Sequence, residues 1–112
     1  MLDYKFKRKK IWEDEPNRPI MEVKKPFEML SDLSNGHLQT LKGVTTELRN
    51  IEKTKKGELK SYSFGGSDAC IIDVGKVNCK ITYEFGEKET ELRTADLIRL
   101  LKDWIMFLKQ EQ

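Results

Sequence analysis

The chain has 112 residues, of which 36% are charged and 38% apolar, and its formal net charge is +2. That length predicts a single domain, residues 1–112, burying roughly two-thirds of the surface its unfolded form exposes. The charge is too small to imply a nucleic-acid or membrane partner by itself, and no apolar run reaches the roughly 18 residues a spanning helix needs.

The charge is unevenly spread. Residues 1–60 carry 14 Lys/Arg against 10 Asp/Glu, and residues 61–112 carry 7 against 9. The sharpest runs are basic Lys5 to Lys10, acidic Glu13-Asp14-Glu15, and the acidic stretch from Glu84 to Glu91. The N-terminus shows no apolar segment of signal-peptide length, and two cysteines without such a signal predict reduced thiols in a cytoplasmic protein.

In chain order, Leu2 to Lys7 alternates briefly with Tyr4 and Phe6 on one side, which predicts a short edge strand guarded by lysines. Trp12 to Pro19 reads as a loop, because Pro16 and Pro19 deny a regular ladder. Ile20 to Lys24 reads as a second short strand, ended by Pro26. From about His37 to Thr54, Leu38, Leu41, Val44 (or Thr45), Leu48 and Ile51 recur at helical spacing. Ser34 and Asn35 supply N-cap chemistry and Gly57 a stop, preceded by Lys53, Lys55 and Lys56 at the negative end of the helix dipole.

Strands follow. Leu59 to Phe64 leads into a turn at Gly65-Gly66-Ser67-Asp68, and Ala69 to Val74 is next. If Gly75-Lys76 forms a two-residue hairpin turn, Ile72 faces Cys79 and Cys70 faces Ile81. Val77 to Phe85 alternates without a break, which directs Val77, Cys79, Ile81, Tyr83 and Phe85 inward and Asn78, Lys80, Thr82 and Glu84 outward. A short strand at Glu89–Arg93 completes the series.

The last element is an amphipathic helix with Thr94 as N-cap, Asp96 in its first turn, and a stripe of Leu97, Leu100, Leu101, Trp104, Ile105 and Leu108. Ile98 and Phe107 broaden that stripe: either one of them marks a contact site or, the preferred reading, the helix lies in a concave sheet that buries both. The order predicts an α+β fold: an antiparallel meander of about four to six strands with two helices packed on one face.

Few residues suggest chemistry. His37, the single histidine, has no partner in sequence and reads as a solvent-facing helix residue. Cys70 and Cys79 lack CxxC spacing and fall on the inward face, which predicts inert structural thiols. The glycine-rich turn precedes a strand and not a helix, so it does not read as a phosphate loop. The expectation is a protein that is not an enzyme and uses no cofactor or metal. Two charged features remain. Lys5, Lys7, Arg8, Lys9 and Lys10, with Phe6 and Trp12 nearby, could engage single-stranded nucleic acid. However, alternate strand residues point apart and the neighbouring acids cancel the field. Glu84, Glu87, Glu89 and Glu91 could form an acidic patch that docks a basic partner.

Tyr62 to Asp68, the strand ending Tyr83-Glu84-Phe85, Glu91 to Thr94, and the helix containing Trp104 to Leu108 together resemble small immunity proteins of bacterial polymorphic and contact-dependent toxin systems. The resemblance covers about residues 59–110. It implies a non-enzymatic inhibitor that binds a cognate toxin domain, often a nuclease, and blocks it by occlusion. Glu84, Glu87, Glu89 and Glu91, or Trp12 with Glu13, Asp14 and Glu15, would supply the binding surface. One departure is that inhibitors of nucleases are commonly acidic, whereas this chain is slightly basic; a toxin that is not a nuclease removes the tension. The alternative is a small nucleic-acid-binding module using the basic N-terminal strand.

Overall fold

A computed structural model describes residues 2–9, 18–34, 37–67, 70–83 and 87–110. The fold is α+β. Strands β1 (Tyr4–Lys9) and β2 (Arg18–Val23) form a two-stranded antiparallel ribbon. Two 3₁₀ segments, Glu28–Ser34 and His37–Gln39, lead to helix α1 (Leu41–Lys56). Strands β3 (Tyr62–Ser67), β4 (Cys70–Val74), β5 (Asn78–Tyr83) and β6 (Lys88–Arg93) then form a four-stranded antiparallel meander, and helix α2 (Thr94–Gln110) closes the chain.

The meander follows from alternation. On its inner face Phe64, Cys70, Ile72, Val74, Cys79, Ile81 and Leu92 are all buried. The register differs from the expected one: Val74 pairs with Cys79, Ile72 with Ile81, and Cys70 with Tyr83. The Gly75 N–H bonds the Asn78 carbonyl at 3.0 Å, so the two central turn residues are Lys76 and Val77. Moving the turn by one residue shifts the pairing by two, which leaves every described side chain on its predicted face, Glu84 and Phe85 lying outside the described residues. Val77 is the exception. It sits at the turn tip and is 68% exposed, not directed inward.

A second tie fixes that turn. A Cβ on Gly75 would lie 2.7 Å from the Asn78 carbonyl oxygen, so only glycine permits this approach. Thr94, expected as an N-cap, begins α2 with a different task. Its N–H bonds the Val77 carbonyl at 2.8 Å and its hydroxyl donates to the Gly75 carbonyl at 2.7 Å. The Cys79 thiol lies 3.3 Å from the same hydroxyl. With the hydroxyl proton already given to Gly75, the thiol is the donor in that contact.

Helix α1 starts later than Ser34 and Asn35 suggest. Thr40 is the N-cap, accepting from the Gly43 N–H at 3.0 Å, because His37–Gln39 forms a separate 3₁₀ turn that buries Leu38. The stop is the expected one: Gly57 has φ 87° and its N–H reaches the Thr54 carbonyl at 3.1 Å. Val44, Leu48 and Ile51 of α1 are buried, as are Leu97, Leu100, Leu101, Trp104 and Leu108 of α2.

The N-terminal ribbon packs on the outside of α2. Pro19 and Arg18, expected in a loop, belong to β2, with Pro19 opposite Arg8. A strand of a two-stranded ribbon has one unpaired edge, where proline is tolerated. Phe6 meets Trp104 edge-on at 5.1 Å and Phe107 at 5.5 Å. Phe107 is therefore half-covered by the ribbon rather than by a concave sheet. Tyr4 donates its hydroxyl hydrogen bond to Asp103, and the Arg99 guanidinium lies over its ring at 5.6 Å while also reaching the Leu2 carbonyl at 3.1 Å.

Trp104 is fully buried and donates its indole N–H to the Leu38 carbonyl at 2.6 Å. Trp104→Ala removes that bond and opens a cavity, so urea unfolding should register a loss of about 3–5 kcal/mol. Burial, followed by the bond to Asp103 and its charge, pushes Tyr4 up to about 12 from an ordinary 10.0. A group raised on folding supports the fold fully below its unfolded value, and that support is lost as pH climbs from 10.0 through about 12. A spectrophotometric titration should show one tyrosine ionising near the upper value, with the step absent in Tyr4→Phe.

Candidate functional site

Both helices pack on the inner face of the meander; among the described residues no element lies over the outer face. Register sets its rows. Ser63, Asp73, Lys80 and Glu91 lie side by side across β3 to β6, and Gly65, Ile71, Thr82 and Glu89 form the next row. Asn78 and Arg93 begin a third. Ile71 is 50% exposed in the midst of this polar surface. The Ser63 hydroxyl bonds the Asp73 carboxylate, and Lys80 Nζ lies 3.1 Å from Glu89 Oε2.

Three of the expected acidic residues gather here. Glu89 and Glu91 share the open face of β6, two residues apart and so roughly 7 Å along the strand. Glu87 is exposed just before β6. Glu84, Trp12, Glu13, Asp14 and Glu15 lie outside the described residues. Of the three that gather here, Glu89 is paired with Lys80, and Arg93 ends the strand on the same face, two residues beyond Glu91.

Ile71 was not singled out from the sequence, although its signal is present. Cys70, Ile72 and Val74 claim the inner face, so alternation sends the intervening isoleucine outward. A single exposed apolar residue is ordinary on a protein surface by itself; what sets Ile71 apart is its place on a central strand of an uncovered face.

The basic N-terminal strand is differently placed. Lys5 and Lys7 point away from the core on β1, and both reach Glu22 of β2, Lys5 at 3.6 Å. The hydrogen bond from Lys7 holds the Glu22 carboxyl below its ordinary range. These two cations are engaged within the ribbon. The side chains of Lys9 and His37, and the whole of Lys10, lie outside what is described.

The cysteines are 1% exposed each. In the observed register Cys70 is opposite Tyr83 and Cys79 opposite Val74, a separation of roughly 13 Å along the ladder at about 3.4 Å per residue. A disulfide needs Cα atoms within about 7 Å, so none can bridge them. Burial pushes the Cys79 thiol up, opposed by its contacts with Thr94 and Gly75. Among the described residues no group of three His, Cys, Asp or Glu side chains could hold a metal ion, and no helix is long and apolar enough to cross a membrane.

No family model, curated protein or solved structure matches this chain. The open sheet face is thus characterised by its own geometry alone. For the thiols, iodoacetamide should label neither cysteine in the native protein within the time that labels both in urea, with mass spectrometry as the readout.

Proposed function

We propose that the protein is an immunity factor that binds one cognate toxin domain and neutralises it by occlusion, without catalysis. The observation that supports this reading is the uncovered sheet face, with Ile71 at its centre and Glu87, Glu89 and Glu91 along the β6 edge. An apolar contact within a polar, partly acidic rim is the anatomy of a protein-docking patch. The carboxylates supply steering toward a basic surface, such as the substrate cleft of a nuclease. The resemblance of residues 59–110 to immunity proteins supplies the partner class. Two chemically different halves of the interface divide the work: charge raises the encounter rate, and burial of Ile71 slows dissociation.

The competing reading, nucleic acid held on the N-terminal strand, draws less support because Lys5 and Lys7 are both engaged by Glu22.

The test is co-expression in a naive bacterial host. The toxin domain encoded beside this chain should arrest growth, and this chain should relieve the arrest. Glu89→Lys with Glu91→Lys should lower the association rate with that domain by about tenfold or more at low salt. Ile71→Ser should chiefly raise the dissociation rate. Both variants should keep the parent melting temperature, since exposed ion pairs contribute about 0–1 kcal/mol. Arrest that this chain fails to relieve would overturn the function. Relief by the variants with unchanged kinetics would overturn the surface.

A further inference from the structure

The corner that adjoins the open sheet face carries the opposite charge. Lys55 from the end of α1, Lys76 from the β4–β5 turn and Arg93 from the end of β6 line a surface hollow of about 560 Å³ with Val77, Asn78 and Ala95. All three cations are exposed, and among the described residues no carboxylate forms an ion pair with any of them. Past Lys55 and Ala95 the surface continues into a second hollow of about 250 Å³, where Lys56, Lys102 and the half-buried Ile98 meet the single acid Glu52.

Helix-dipole compensation accounts for part of this. Lys55 and Lys56 close α1 at its negative end. Lys76 joins them, with its Nζ 3.9 Å from where a Cβ on Gly57 would stand. Arg93 is different. It immediately precedes α2, at the positive end of that helix, where a cation is unfavourable. Lys102 adds a further positive charge beyond the first turn. Glu52 beside Lys55 and Lys56, and Glu91 and Asp96 beside Arg93, offset part of this charge; the remaining like charges repel one another, and an anionic occupant would relieve that repulsion.

The apolar members narrow the choice of occupant. Val77 is 68% exposed at the lip of the first hollow and Ile98 half-buried in the second. Both are aliphatic. Single-stranded nucleic acid draws affinity from aromatic stacking platforms, and neither hollow has an aromatic lining residue. Carboxylates interleaved with aliphatic side chains match both the charge and the apolar contacts.

We infer that this corner is a second docking surface, taking an acidic, aliphatic-bearing segment of a partner protein across Val77 and Ile98 between the cations of α1, the turn and α2. It goes beyond the immunity reading in taking a different occupant, and it draws on Lys55, Lys56, Lys76 and Lys102 off the sheet face, with Arg93 at the junction, two residues from Glu91.

Fluorescence anisotropy with a labelled peptide of alternating Glu and Leu tests it directly, with an alternating Lys and Leu peptide and an oligodeoxythymidylate as comparisons. The parent chain should bind the Glu/Leu peptide and neither comparison as tightly. Lys76→Glu with Arg93→Glu should weaken that binding at least tenfold, and Val77→Ser should weaken it severalfold. Thermal melting of each variant, expected at the parent temperature because all three sites are exposed, separates lost binding from lost fold. Absence of peptide binding, equal binding by the folded variants, or preference for the oligonucleotide would each overturn the inference. In that last case the hollow serves phosphate.

Discussion

Trp104 is where the separate parts of this chain become one structure. Its ring is buried between the helix pair and the N-terminal ribbon, edge-on to Phe6 at 5.1 Å and stacked with Phe107 at 5.7 Å. An indole in such a place carries a polar N–H that must find an acceptor or lose about 1–3 kcal/mol. The acceptor is the carbonyl of Leu38, 66 residues away in a 3₁₀ turn just ahead of α1. One side chain thus positions the ribbon, the start of α1 and the second half of α2. A two-stranded ribbon is marginal on its own in water. Here it persists because Tyr4 and Phe6 pack on α2 and Tyr4 is tied to Asp103.

Thr94 does the corresponding work at the other end of α2. By bonding the Val77 and Gly75 carbonyls it fixes the first turn of the helix to the β4–β5 hairpin. The buried Cys79 thiol completes the arrangement as a donor with a nearby acceptor. With both ends of α2 held, the helix shields the inner face of the meander and leaves the outer face open. The open sheet face is therefore a consequence of core satisfaction: among the described residues no element is placed over β4, β5 and β6 from outside.

Much of this architecture was legible in the sequence. Period-two alternation marked Cys79 and Ile81 as core, and helical spacing marked both stripes, because burial periodicity is a direct imprint of geometry. The hairpin turn was not legible at one-residue resolution. Gly75-Lys76 and Lys76-Val77 both leave the same faces buried, so hydrophobic pattern cannot separate them. What decides is the close approach of Gly75 to the Asn78 carbonyl, a tertiary detail. The start of α1 was misjudged for a related reason. Ser34, Asn35 and Thr40 all have capping chemistry, and only the separate 3₁₀ turn that buries Leu38 selects Thr40.

Charge was the least legible property, since a linear run of one sign says little about a surface. The densest basic run in the sequence contains Lys5 and Lys7, whose charge Glu22 engages across the ribbon. The basic hollow draws instead on Lys55, Lys76 and Arg93, which no local window joins. The acidic rim shows the opposite case, because strand geometry puts Glu89 and Glu91 on one face as their spacing implies. A nearly neutral chain thereby gathers acid on the open face of β6 and base at the adjoining corner where α1 ends and α2 begins, with Arg93 at their junction. The small net charge of +2 is then a sum of unlike local fields and no guide to what any one surface attracts. The slightly basic total does not set the field over the open sheet face, because an approaching molecule meets the local field within about 10 Å and not the whole molecule's average.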